Sequence, residues 1–224
     1  MPRIILNEAT FSFPSVEEAD EEGLLLIGGK VTAERMIEAY SKGIFPWYND
    51  DSLPLWWSPD PRFVLFPSEL HVSKSMKKVL SKSSFAFTVD EAFQQVVEKC
   101  ASVKRREQAG TWITDEMAQV YISLHEKGFA HSAETWIDDK LVGGMYGIRL
   151  GNVFFGESMF STVSNASKFA FILFVKKLQN SRVQLMDCQV HTHHVESLGG
   201  RLIDRKKYLH LLQDFIIQPS SDMS

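Results

Sequence analysis

Asp187 and Gln189 stand two apart in the run Val183-Gln-Leu-Met-Asp-Cys-Gln-Val190. Its apolar residues read as a buried strand from Val183 to Cys188. Positions two apart on a strand share a face. Polar side chains at the end of a buried strand need partners or a task. One reading is a capping network at the strand's end. The other is chemical: Asp187 polarises and orients Gln189, whose side-chain carbonyl oxygen meets an incoming amine. Glu157, beside Gly156 at the end of another strand, poses a similar choice. It is a surface charge or a partner of Lys168, or else a cleft carboxylate that holds an ammonium or guanidinium.

Other residues bear on binding. Gly43 to Arg62 contains three of the five Trp (Trp47, Trp56, Trp57) and four of the eight Pro (Pro46, Pro54, Pro59, Pro61). That density of Pro argues against a regular helix or a central strand and predicts an ordered loop or an edge-like segment. Flat aromatic faces beside fixed Pro turns suit a nucleobase or an apolar side chain. Lys74, Lys77 and Lys78 share a helix face, which either meets phosphates or is simply solvated. Lys104 to Arg106 is a basic loop to which no role is assigned.

Several chemistries are disfavoured. His191-Thr-His193-His194 near Cys188 hints at a metal, but no second Cys/His cluster has ligand spacing, so none is expected. Cys188, on a buried strand, lacks an adjacent base. Ser158 lies in Gly-Glu-Ser-Met-Phe rather than the nucleophile elbow Gly-x-Ser-x-Gly. No Walker-type loop indicates ATP, and no cofactor is expected.

The elements that must position these groups follow from periodicity and caps. Helices are expected over Thr32 to Lys42, Ser73 to Leu80, from Asp90 through Cys100, and from Thr114 to Gly128. Phe85 to Val89 alternates as a strand. Ala130 to Ile137, Leu141 to Ile148 and Val153 to Ser158 form a meander, linked at Asp138-Asp139 and Leu150-Gly-Asn152. Ser164 to Gln179 is apolar nearly all round and therefore buried. A short helix over His191 to Leu198 and a last helix from Asp204 close the pattern. Met145, Phe154, Phe171, Phe174, Leu178 and Met186 fall between the meander and the buried helix. By pattern they are core; alternatively they line an apolar pocket, which Met would make adaptable.

With 224 residues, 44% of them hydrophobic, the chain has the composition of a soluble globular protein. No run approaches the roughly 20 apolar residues of a membrane span, and the N-terminus lacks a signal peptide's apolar region. Two cysteines are too few for a disulfide framework, which predicts a cytoplasmic protein with no membrane partner. A net charge of -4 argues against broad phosphate binding but not against a local basic patch.

Gly43-Ile-Phe-Pro-Trp47 and Trp56-Trp-Ser-Pro-Asp-Pro-Arg62 resemble the N-terminal signature of the leucyl/phenylalanyl-tRNA–protein transferases. Gly110 to Thr114, Leu141 to Gly147, Gly156 to Ser161, Asn165 to Lys168 and Asp187 to Val190 match further family motifs in order. Regular alternation of elements begins after Pro61, which places a domain boundary there, with a small N-terminal domain over residues 1–61 and a larger α+β domain over 62–224; the resemblance implies that the larger domain is a GNAT-like acyltransferase domain with a mixed sheet flanked by helices. It implies transfer of Leu, Phe or Met from aminoacyl-tRNA to the N-terminal amine of proteins starting with Lys or Arg, marking them for degradation. It assigns Asp187, Gln189 and Glu157 to catalysis, the six apolar residues to the aminoacyl pocket, and Trp47 and Trp112 to the terminal adenosine. The ester is already activated, and the amine's pKa of about 7.7–8.0 leaves a reactive neutral fraction, so neither ATP nor metal is required. The rivals are a CoA-dependent N-acyltransferase, disfavoured because Phe160 to Ser167 has no glycine to admit a pyrophosphate, and a non-catalytic binder of peptide N-termini or RNA ends.

Overall fold

The structure, a computed structural model, describes residues 3–5, 12–49, 52–82, 84–102 and 113–216. Trp112, the basic loop at Lys104 to Arg106 and the C-terminal tail lie outside the described residues. The first part holds β1 (Arg3–Ile5), β2 (Leu24–Gly28), α1 (Ala33–Ser41), β3 (Phe45–Pro46) and β4 (Leu55–Trp57). Its four strands pair in the order β1-β2-β4-β3. Pro46 sits on the edge strand, where a missing N–H costs nothing. β4, however, is interior to the sheet, so the expectation of no central strand in the Pro/Trp segment is corrected there. Its residues escape the restriction because Pro54 and Pro59 flank the strand rather than interrupt it. Trp56 is fully buried and its indole N–H donates to the Gly28 carbonyl at 3.0 Å.

A second, seven-stranded sheet follows. Its strands are β5 (Arg62–Leu65), β6 (Ala86–Val89), β7 (Ala130–Ile137), β8 (Lys140–Leu150), β9 (Val153–Ser161), β10 (Leu185–Asp187) and β11 (Arg201–Ile203). They run in the order β11-β5-β10-β9-β8-β7-β6. β10 is parallel to β9 and the other neighbours are antiparallel, so the sheet is mixed. The flanking helices are α2 (Lys74–Lys82), α3 (Phe93–Ser102), α4 (Asp115–Glu126), α5 (Ala166–Asn180), α6 (His193–Glu196) and α7 (Arg205–Ile216). The expected α+β class with a helix-flanked mixed sheet is what forms.

Local signals act largely as expected. Thr32 and Thr114 cap α1 and α4 by accepting from the backbones of Arg35 at 3.2 Å and Met117 at 3.0 Å. Asp138 and Asp139, both with positive φ, make the tight β7–β8 turn. Asp90 departs from expectation. It has a φ of 63°, α3 begins only at Phe93, and its carboxylate accepts from the Ser132 backbone at 2.8 Å, so it braces β7 instead of capping a helix.

Alternation along β8 builds two cores on the two faces of the sheet. Met145 packs with α5 and Met186 on one face, and Tyr146 and Ile148 pack with α3 and α4 on the other. On β9, Phe154 and Met159 belong to the α5 face and Phe155 and Phe160 to the other. An odd spacing on one face requires an extra residue. Tyr146 pairs with Ser158 and Gly147 with Gly156, so Glu157 is the extra residue of a β-bulge. Gly147 accommodates it, because a Cβ there would lie 2.1 Å from the Phe155 carbonyl oxygen. Gly147→Ala is therefore expected to destabilise the fold by about 2 kcal/mol or more, which for a chain of this size lowers the melting temperature by roughly 4–8 °C. An unchanged calorimetric transition would show that the bulge yields freely.

Candidate active site

A cavity of about 490 Å³ opens where β9 and β10 run side by side. Its volume is within the ~300–1,000 Å³ of small-molecule sites. One wall is apolar: Met145, Met159, Phe171, Met186 and Val195. Phe45, Pro46 and Trp47 form the lip contributed by the N-terminal sheet, and Glu157, Cys188, Gln189, Thr192 and His194 supply polar groups. Of the six residues expected in an apolar pocket, Met145, Phe171 and Met186 line the cavity. Phe154, Phe174 and Leu178 are fully buried behind that wall, and the Phe154 and Phe174 rings meet edge-on at 5.0 Å.

Glu157 is half-buried at the bulge, on the face that also carries Phe155. It makes no ion pair with Lys168. Its two oxygens instead accept from the phenols of Tyr40 and Tyr121, each at 2.6 Å. Burial lifts its carboxyl to about 7, against the pull of those two hydrogen bonds. Burial, followed by the neighbouring carboxylate, pushes both phenols up, so they remain donors.

Asp187 and Gln189 do not share a strand face. β10 stops at Asp187, and Gln189 has a φ of 57°. The Val190 N–H donates to the Cys188 carbonyl at 2.7 Å, closing a three-residue turn centred on Gln189. Asp187 reaches Gln189 through the backbone: the Gln189 N–H donates to Oδ1 at 3.0 Å. The carboxylate is buried and also accepts from Arg62 Nε at 2.9 Å, Arg62 Nη2 at 2.7 Å and the Tyr208 hydroxyl at 2.8 Å. Arg62, Tyr40, Tyr121 and Tyr208 were not singled out for chemistry from the sequence. The available signals were an Arg ending the Pro-rich motif and three Tyr on inward helix faces.

Trp47 is half-buried and lines the cavity. The Trp57 indole donates to its carbonyl at 2.8 Å, and the two rings lie 6.2 Å apart. Lys74, Lys77 and Lys78 are exposed on α2. Cys188 lines the cavity, but burial pushes its thiol up, away from the reactive thiolate. Burial brings His194 down to about 4, so it is neutral near pH 7. The His run does gain a carboxylate: ligand atoms of His191, His193 and Glu196 lie within 4.8 Å of one another, all exposed, and could hold a divalent cation. No helix among the described residues is long and apolar enough to cross a membrane.

Residues 64–213 match the family described as leucyl/phenylalanyl-tRNA protein transferase, and residues 29–60 match that family's N-terminal domain. This chain belongs to the leucyl/phenylalanyl-tRNA–protein transferase family. A family relative from Flavobacterium johnsoniae is 53% identical over 90% of this chain and 95% of its own length. Another, from Legionella pneumophila, is 48% identical over 95% of both chains, and one from Nitrosospira multiformis is 51% identical over 91% of this chain and 88% of its own. Each is named leucyl/phenylalanyl-tRNA–protein transferase. Among solved structures, a GCN5-related N-acetyltransferase-like protein from Streptococcus suis aligns at 14% identity and a TM-score of 0.38, over 80% of this chain and 67% of that one.

The environment of Glu157 gives the family reaction an expected pH dependence. Glu157 is mostly protonated below about 7 and ionised above it, so if transfer needs the ionised carboxylate the single-turnover rate should rise through that value. The phenol hydrogen bonds lower this pKa, so Tyr121→Phe should move the inflection upward. The acceptor amine also titrates, near 7.7–8.0, so both enzymes are compared on one peptide. An inflection that stays in place or moves down contradicts the assignment.

Proposed function

We propose that this chain moves a leucyl, phenylalanyl or methionyl group from aminoacyl-tRNA to the N-terminal amine of a protein beginning with Lys or Arg. The reaction takes place in the cytoplasm and marks the acceptor for degradation. The observation that carries the reading, beside family membership, is one cavity that joins an apolar wall to a half-buried carboxylate and an amide. Met145, Phe171 and Met186 receive the aminoacyl side chain. Trp47 takes the terminal adenosine, with Trp112 assigned the same task by resemblance. Glu157, when ionised, draws the cationic acceptor. The amine nitrogen attacks the ester carbonyl, a C–N bond forms, and the ribose oxygen leaves with the tRNA. The Gln189 side-chain oxygen orients the attacking N–H, and Glu157 is the nearby group that can accept a proton near neutral pH. The ester carries its own activation, so positioning does most of the work. In this division residues 1–61 supply Tyr40 and the aromatic lip, and residues 62–224 supply the rest.

The test is transfer of labelled leucine from Leu-tRNA to an Arg-starting peptide by the purified protein. Label should appear on that peptide and not on a Glu-starting control. Transfer from acetyl-CoA instead, or binding without transfer, would overturn the reading in favour of a rival.

Donor preference should follow the lining rather than the layer behind it. Met145→Ala enlarges the wall, so kcat/KM for Leu relative to Phe should fall, by roughly tenfold or more. Phe174→Ala should instead cost about 3–5 kcal/mol of stability with an unaltered Leu/Phe ratio. A ratio that moves with Phe174 and not with Met145 would reverse the placement.

We also infer that Lys74, Lys77 and Lys78 meet tRNA phosphates. Replacing all three with Gln should weaken tRNA binding and reduce the slope of log K against log salt by about 0.9 per lost duplex contact. An aminoacyl-adenosine fragment should bind as before. Equal weakening of tRNA and fragment would show that the helix face is merely solvated.

A further inference from the structure

Every acceptor position of Asp187 is filled. A carboxylate offers about four lone-pair sites. Oδ1 takes Arg62 Nε and the Gln189 N–H, while Oδ2 takes Arg62 Nη2 and the Tyr208 hydroxyl. Asp187 therefore has no site left for a substrate proton. Nor does it bond to the Gln189 side chain. Its contact with Gln189 is to the backbone of a residue held at positive φ in a γ-type turn, a conformation uncommon for a side chain with a Cβ. Such outliers persist only where their surroundings over-determine them. Those surroundings are buried and closely packed. Arg62 and Asp187 are both fully buried, and the guanidinium lies 4.7 Å from the ring centres of both Phe45 and Tyr208.

We propose that Arg62 and Tyr208 are positioning residues for transfer: through Asp187 they lock the Gln189 backbone in the turn that presents its amide to the cavity. The inference rests on the aminoacyl-transfer reading above. Asp187 then works as a fixed anchor rather than as a polarising partner of the Gln189 side chain. The geometry joins three remote segments: β5 carries Arg62, β10 carries Asp187 and α7 carries Tyr208. An ordinary buried ion pair would cross-link β5 to β10 without setting the rate of any step. The two roles are separable.

Tyr208→Phe removes one hydrogen bond and keeps the ring over Arg62. The single-turnover transfer rate is expected to fall about tenfold, with aminoacyl-adenosine affinity within about twofold of wild type. In a Gln189→Ala background the same change should cost less than about twofold, because its route of action is gone. A loss of equal factor in both backgrounds overturns the proposal, as does an unchanged rate or a loss confined to donor affinity. Amide hydrogen exchange gives a readout that needs no activity. Exchange at the Gln189 N–H should accelerate at least about tenfold in Tyr208→Phe, while amides of β8 keep their protection. Acceleration spread evenly over both, or none at Gln189, means a structural cross-link only. Arg62→Lys, which keeps the charge but loses the bidentate fork, should reproduce the local acceleration. A wild-type protein that moves no aminoacyl group would sink the parent reading, while the exchange experiment would still decide this one.

Discussion

A buried charge must be paired, and in this fold Asp187 is the charge that the site is built around. Removing a carboxylate from water costs several kcal/mol unless donors replace the lost hydration. Here a bidentate guanidinium, a phenol and a backbone N–H do so. Satisfying that demand brings β5, β10 and α7 together, fixes the Gln189 turn and draws Phe45 of the N-terminal sheet over the Arg62 guanidinium. Breaking such a pair by removing one partner is far more damaging than a surface ion pair's loss, at about 3–5 kcal/mol. Asp187 and Arg62 do not line the cavity, but Phe45 and Gln189, which they contact, do.

Glu157 shows the other outcome for an inward carboxylate. It has two phenol donors and no bidentate cation, so burial prevails and its proton affinity rises. One carboxylate is saturated and the other is able to exchange a proton near neutral pH. Glu157 shares its face with Phe155, whose ring centre lies 4.8 Å from that of Tyr40, and as the extra residue of the β-bulge it meets Tyr40 and Tyr121.

Much of the scaffold was legible from local rules. Thr32 and Thr114 announce their helices, Asp138-Asp139 announces its turn, and the apolar circumference of α5 announces its burial. The polar pair Asp187 and Gln189 stands out in an apolar run. Its geometry was not legible, because the partner that decides it, Arg62, is 125 positions away in sequence. The same holds for Tyr40, 117 positions from Glu157. Period-2 alternation could not foresee a bulge or a strand that ends one residue after Met186. It also could not separate cavity lining from core: Phe171 and Phe174 lie on one buried helix, and only tertiary packing puts one at the cavity and the other behind it. Short strands such as Leu55–Trp57 were hidden because the flanking prolines dominate their composition.

The opposite facing of Met145 and Tyr146 on β8 has a consequence for how such a protein can change over generations. Met145 lines the cavity, while Tyr146 touches Tyr121, ring centres 4.9 Å apart, and Tyr121 in turn donates to Glu157. Two adjacent codons therefore address two different traits. Changes to the cavity wall can be explored at one without altering the packing against Tyr121 at the other. The strand behaves as a two-channel record in which neighbouring letters are read by separate audiences, and selection can edit one channel while leaving the other intact.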